Sequence, residues 1–182
     1  MKIIGFAGSN SSTSINKQLV NYTLNLIENH QKILLDLNDF EIPMFSVDIE
    51  KSIGYPEKVK EFVNILATAD ALVISLAEHN GAYTAVFKNL MDWCSRYELK
   101  FFGNKPIFLM STSPGGYGAG NSMELGLSRF PKFGADIVSH FSLPKFNENF
   151  SKDQGITDIE LREKHVAELN VFLKKVHAPA EK

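Results

Sequence analysis

Three stretches of this chain have the residue types from which a ligand site can be assembled. The first, Gly8-Ser9-Asn10-Ser11-Ser12-Thr13-Ser14-Ile15-Asn16, is rich in hydroxyls and carries no charge. If a helix begins near Ser14, its first amide N–H groups lack intrahelical acceptors and face outward at the positive end of the helix dipole. An anion is stabilised there, and serine and threonine hydroxyls add neutral donors. The same stretch also reads as a polar turn with Ser or Thr as an N-cap. The second, Ser75-Leu76-Ala77-Glu78-His79-Asn80-Gly81-Ala82-Tyr83, offers small residues that let backbone approach a flat ring. The third runs from Ser113 to Gly120 and is glycine-rich.

Two common phosphate motifs are absent from the first stretch. It lacks the final Gly-Lys-Ser/Thr of a Walker loop, so no lysine stands where β and γ phosphates would be gripped. Gly-x-Gly-x-x-Gly does not follow the first strand either, and the Gly116-Tyr117-Gly118-Ala119-Gly120 cluster lies too late in the chain to replace it. A tightly held adenine dinucleotide is therefore disfavoured.

The elements that must position these stretches alternate between short apolar runs and segments of helical period, which is the α/β pattern. Strands are expected at Ile3–Ala7, Lys32–Leu37, Ala71–Leu76, Pro106–Ser111 and Asp136–Phe141. Ala71-Leu72-Val73-Ile74-Ser75-Leu76 is continuous enough to be central, buried on both faces of a parallel sheet. Helices are expected from Ser14 to Ile27, from Pro56 to Leu66, over Ala85–Tyr97, over Ser122–Phe130 and over Thr157–Val176. Phe40–Phe45 should run over the surface, because Pro43 disfavours a central strand, and Asn147–Gly155 should be a polar connector. The expected architecture is a flavodoxin-like three-layer sandwich whose five-stranded parallel sheet has the order 2-1-3-4-5. In that order the three ligand-type stretches meet at the carboxyl edge of the sheet. Residues 1–177 read as one domain and residues 178–182 as a loose tail.

Composition narrows the partners. With 182 residues, 44% hydrophobic and 22% charged, the chain suits one ordinary domain with a substantial core. A net charge of −2 gives no electrostatic reason to expect nucleic acid or an anionic membrane, so any phosphate must be bound locally. The single cysteine, Cys94, precludes an intramolecular disulfide and suits a reducing, cytoplasmic setting; it stands away from histidine or metal-ligand spacing and reads as a packed structural thiol. No metal site and no membrane segment are expected. The charged run Glu160–Lys175 is the solvated face of the last helix.

Taken together, Gly8-Ser9-x-Ser11-x-x-Ser14-x-Asn16-x-x-Leu19, Ala69-Asp70, Glu78-His79-Asn80, Lys88-Asn89-x-x-Asp92-Trp93 and Ser113-Pro114-Gly115 resemble the NADPH-dependent FMN reductase family, with its azo-, quinone- and chromate-reducing members, over about Met1 to Phe141. The resemblance implies non-covalent FMN, NADPH or NADH as co-substrate, a small-molecule acceptor, and a homodimer or homotetramer. The flavin would carry the chemistry, so no catalytic side chain is expected. By position, Ser9, Ser11, Ser14, Ile15 and Asn16 would hold the phosphate. Ala77, Glu78, His79, Asn80 and Gly81 would meet the isoalloxazine edge, and Ser113, Gly115, Gly116 and Tyr117 the other side of the ring or the ribityl chain. The alternative is a flavodoxin-like electron-transfer or flavin-binding protein without NAD(P)H oxidase activity.

The chain departs from the family at two places. Ser11 stands where many members carry arginine, and Ala77-Glu78-His79-Asn80 replaces the common Pro-Glu-Tyr-Asn. His79 either stacks near the ring, where its charge would raise the redox potential, or is a solvated loop residue. Asp92 and Arg96, four apart on one helix, suit an ion pair or a subunit contact. Trp93, Tyr97, Phe101 and Phe102 are too dense for comfortable exposure and are expected at a subunit interface, with core packing as the alternative. Tyr83 and Tyr117 line the substrate side of the ring or cap their loops.

Overall fold

The computed structural model of the chain describes residues 1–178, so residues 179–182 of the expected tail lie outside the described residues. Along the chain come β1 (Lys2–Ala7), α1 (Ile15–Leu26), β2 (Gln31–Leu35), α2 (Val47–Ile53), α3 (Glu57–Ala67) and β3 (Ala71–Leu76). They are followed by β4 (Glu78–His79), β5 (Ala82–Tyr83), α4 (Ala85–Tyr97), β6 (Lys105–Thr112) and α5 (Gly120–Arg129). The chain then forms β7 (Ala135–Leu143), α6 (Phe146–Asn149), β8 (Phe150–Ser151), β9 (Gly155–Ile156) and α7 (Ile159–His177). The sheet order is β2-β1-β3-β6-β7, all parallel, which is the 2-1-3-4-5 arrangement of its five strands. Between β1 and β3 the order reverses, and ligands bind outside the carboxyl ends of strands at such a point.

Period-two alternation divides the strands between two cores. Ile4 and Phe6 of β1, Leu72 and Ile74 of β3, and Ile107 and Leu109 of β6 pack with α3, α4 and α5. Ile3, Val73, Phe108 and Met110 turn the other way, onto α1 and α7. Every residue of β3 is buried, as its unbroken apolar run requires. α1 lies directly on β1: a Cβ on Gly5 would stand 2.6 Å from Val20 Cγ1, so the helix start that closes the first loop is pinned to the strand that opens it.

Several expectations change. α2 is a helix the sequence pattern does not announce, since none of its residues is buried and no apolar stripe marks it; Ser46 caps it by accepting from the Ile49 N–H at 3.1 Å. The polar connector contains the β8–β9 hairpin. Trp93, Phe101 and Phe102 are buried within the chain itself, against Phe45, Phe130 and Phe133, and so belong to the core rather than to an interface. Asp92 pairs with Lys88 at 2.6 Å, while Arg96 reaches across to Glu50 at 3.0 Å. Cys94 is buried, and burial pushes its thiol pKa up. Among the described residues no helix is long and apolar enough to cross a membrane.

Candidate functional site

The loop after β1 builds itself from short-range hydrogen bonds. The Ser11 N–H donates to Ser9 Oγ at 3.2 Å, the Thr13 N–H to Ser11 Oγ at 3.3 Å and the Lys17 N–H to Ser14 Oγ at 3.2 Å. In each case the hydroxyl acts as acceptor, which leaves the Ser9 and Ser14 hydrogens for a ligand, while the Ser11 and Thr13 hydroxyls, 3.3 Å apart, share one hydrogen and keep the other. Ile15 and Asn16 are the first two residues of α1, and their N–H groups have no intrahelical partner. The one cation at this helix start, Lys17, is paired with Asp36, whose carboxyl pKa it holds below the usual range. The loop therefore presents neutral donors at the positive end of a helix, a fit for a phosphate without a side-chain cation.

Asn16 ties this loop to the rest of the sheet. Its side chain is buried, donates through Nδ2 to the Thr112 carbonyl at 3.1 Å, and accepts through Oδ1 from Ser75 Oγ at 2.6 Å and the Thr112 N–H at 3.1 Å. One carboxamide thus joins α1 to the ends of β3 and β6, and only the backbone N–H of Asn16 faces a ligand. Thr84, the N-cap of α4, adds a second tie by donating to the Gly8 carbonyl at 2.8 Å.

After β3 the chain does not run on as an irregular loop. It folds into the antiparallel β4–β5 hairpin, turning through Asn80 at φ 53° and Gly81 at φ 76°. Positive φ at both central positions marks the turn for which Asn-Gly is the strongest sequence signal. The hairpin is held from outside: the Glu78 carboxylate accepts from Asn121 Nδ2 at 2.9 Å and from the Ser122 N–H at 3.0 Å, capping α5. Ser122 Oγ returns a bond to the Ala77 carbonyl at 3.1 Å.

These segments enclose a cavity of about 270 Å³. Of the residues expected from the sequence, Ser9, Ser11, Ser14, Ile15, Asn16, Ala77, Glu78, His79 and Ser113 line it together. Thr13, Thr112 and Pro114 line it too and were not among the expected site residues; Thr13 lies inside the hydroxyl-rich stretch and Pro114 inside the Ser113-Pro114-Gly115 motif, whereas Thr112 has only its place at a strand end to mark it. Asn80, Gly81, Gly115, Gly116 and Tyr117 do not line it. Asn80 and Gly81 form the hairpin tip, and the Gly115 carbonyl accepts from the Lys145 N–H at 2.9 Å. Tyr117 lies over Gly120 with its hydroxyl donating to Glu124 at 3.0 Å. Tyr83 turns toward α4 and α5, where it stacks edge-on to Phe87 and burial raises its hydroxyl pKa. Asn89 and Trp93 serve the surface run before α2: Asn89 Nδ2 and Trp93 Nε1 donate to the Pro43 carbonyl at 3.0 and 2.8 Å.

Comparison with known proteins agrees with this geometry. A family model described as NADPH-dependent FMN reductase matches residues 1–148. An NAD(P)H-dependent FMN reductase of Pseudomonas aeruginosa is 31% identical over 119 residues, covering 65% of this chain and 63% of its own length, so the match spans under two thirds of that relative. An NADPH:quinone oxidoreductase of Arabidopsis thaliana is 28% identical over 152 residues, 82% of this chain and 74% of its own. Among solved structures, the flavoenzyme NAD(P)H:(acceptor) oxidoreductase FerB from Paracoccus denitrificans superposes with a TM-score of 0.76 at 23% identity, covering 96% of both chains, which is a likeness of fold.

Proposed function

This chain belongs to the NADPH-dependent FMN reductase family, and on that footing we propose that it is an FMN-dependent oxidoreductase using NADPH or NADH to reduce a small-molecule acceptor such as a quinone, an azo compound or free flavin. The observation that carries the proposal is the convergence of three strand-end segments on one cavity whose α1 side offers amide and hydroxyl donors without an opposing free carboxylate. When bound, FMN supplies the hydride acceptance and electron release, so neither a protein nucleophile nor a metal is required.

The chain's own work is to bind and orient. The N–H groups of Ile15 and Asn16 and the hydroxyls of Ser9, Ser11 and Ser14 hold the phosphate. Ala77, Glu78 and His79 face one side of the ring system and Ser113 the other. Because Asn121 and Ser122 hold the Glu78 carboxylate, its charge is directed to α5 rather than at the ligand. On the same footing the protein is a cytoplasmic homodimer or homotetramer; light scattering of the purified protein reads the assembly.

The decisive experiment adds FMN to flavin-free protein and follows flavin fluorescence, then mixes the loaded protein with NADPH anaerobically and follows flavin absorbance. Binding, followed by bleaching and by recovery on adding benzoquinone, is expected. Failure to bind FMN, with no NADPH consumed in the presence of quinone or ferricyanide, refutes the proposal. FMN that binds but does not bleach assigns the chain to the electron carriers instead.

A further inference from the structure

A second cavity, of about 630 Å³, opens on the far side of the same loop and shares Thr13 with the first. One wall is the outward stripe of α1: Gln18, Asn21, Tyr22 and Asn25, spaced three, four and seven apart as neighbours on a helix must be. The facing wall is the β8–β9 hairpin with Phe150 and Lys152. The hairpin closes tightly on the helix, since a Cβ on Gly155 would stand 2.0 Å from the Tyr22 ring. Tyr22 and Phe150, both half-buried with centroids 5.7 Å apart, give this wall an apolar strip.

The chemistry of the stripe is unusual for an exposed helix face. α1 has one charged residue, Lys17, and the stripe itself carries three carboxamides instead. Asn21 and Asn25 make no side-chain hydrogen bond to the described residues, and Gln18 makes one, from Nε2 to the Thr13 carbonyl at 3.4 Å. A carboxamide presents a donor and an acceptor side by side, which is the complement of the adenine edge, with its amino group next to a ring nitrogen. Lys152 supplies a cation for a phosphate and Asp153, beside it, acceptors for ribose hydroxyls. The cavity is also of the size that encloses a nucleotide-sized ligand.

We propose that this cavity is an adenylate subsite, taking the adenosine monophosphate half of a ligand whose other half lies in the first cavity. Two sources share that chemistry: the adenosine half of NADH or NADPH, and the adenylate half of FAD bound in place of FMN. The inference rests on the first cavity being the flavin site. It amends the expectation drawn from the missing glycine fingerprint, because recognition here runs through side-chain amides on a helix face rather than through a helix start.

Calorimetric titration of AMP into flavin-free and FMN-loaded protein tests it, with FMN affinity read separately by fluorescence quenching. AMP should bind the flavin-free protein, and N21A/N25A should weaken that binding about tenfold. K152E, on the opposite wall, should weaken it by a similar factor, so a folding defect of one variant does not decide the matter. AMP binding that survives FMN loading, with FAD held no more tightly than FMN and reduced nicotinamide mononucleotide showing a KM at least about tenfold above that of NADH, identifies the nicotinamide dinucleotide. FAD held at least about tenfold more tightly than FMN identifies FAD. No AMP binding to either form, with FAD and FMN held equally, overturns the subsite. Failure of FMN itself to bind would overturn the proposed function, and the AMP titration would still report on the second cavity.

Discussion

The loops after β1 and β3 approach one ligand cavity but are held in opposite ways. The donors of the first are set by hydrogen bonds among residues two or three apart and by its own helix start, and only its two ends are tied to distant elements, by Thr84 at Gly8 and by Asn16. The second borrows its shape from α5, whose Asn121 and Ser122, more than forty residues away in sequence, hold its Glu78 carboxylate and its Ala77 carbonyl. A locally built loop keeps its donors when distant elements shift, whereas a borrowed one moves with its support. The phosphate end of the site is thereby the rigid end, and the ring end is the adjustable one.

Substitutions at the supports put this contrast to the test. Asn16→Ala should have the largest effect, because it leaves Ser75 and both backbone groups of Thr112 without their buried partner; a loss of about 3 kcal/mol in urea unfolding is expected. FMN affinity should fall with it, and a variant as stable as the wild type would show that the loops do not depend on this joint.

Acid should act next, and on the first loop's helix. His165 is fully buried, its Nε2 lies 2.9 Å from Thr23 Oγ1 of α1, and burial lowers its pKa to about 4. The folded chain thus holds this ring neutral while the unfolded chain protonates it near its ordinary value of about 6.5. Stability is full above about pH 6.5 and falls as pH drops toward 4, with a slope up to about 1.4 kcal/mol per pH unit. H165Q should flatten that part of the pH–stability curve.

Glu78→Gln should cost less, about 1 kcal/mol, through the weaker cap on α5. Its signature is selective: hydrogen exchange should quicken in the β4–β5 hairpin and stay unchanged at the start of α1. Ser14→Ala is the smallest, somewhat below about 1 kcal/mol, and should show the reverse, weakening phosphate binding while the hairpin keeps its protection.

The unequal legibility of the site follows the same division. The run Ala71–Leu76 announced a central strand because burial on both faces leaves no room for polar alternation, and Ser9–Ser14 announced a donor-rich helix start because the partners there are near neighbours. What long-range contacts decide was not readable. Nothing local marks Asn16 as the joint between β3 and β6, or Glu78 as the cap of α5. Trp93, Phe101 and Phe102 looked surplus to one core until the α4–α5 side proved deep enough to enclose them. α2 left no trace because it buries no residue. The hairpin is a different case: Asn80-Gly81 was legible, and its meaning was masked by the expectation of a loop.

Cys94 sits at 0% exposure within the α4 side of the core, with its pKa displaced upward by burial. A protein that reduces quinones works among electrophiles that arylate thiolates. By denying its one cysteine both water and the thiolate form, the fold removes the thiol target from the reach of the compounds it is proposed to consume.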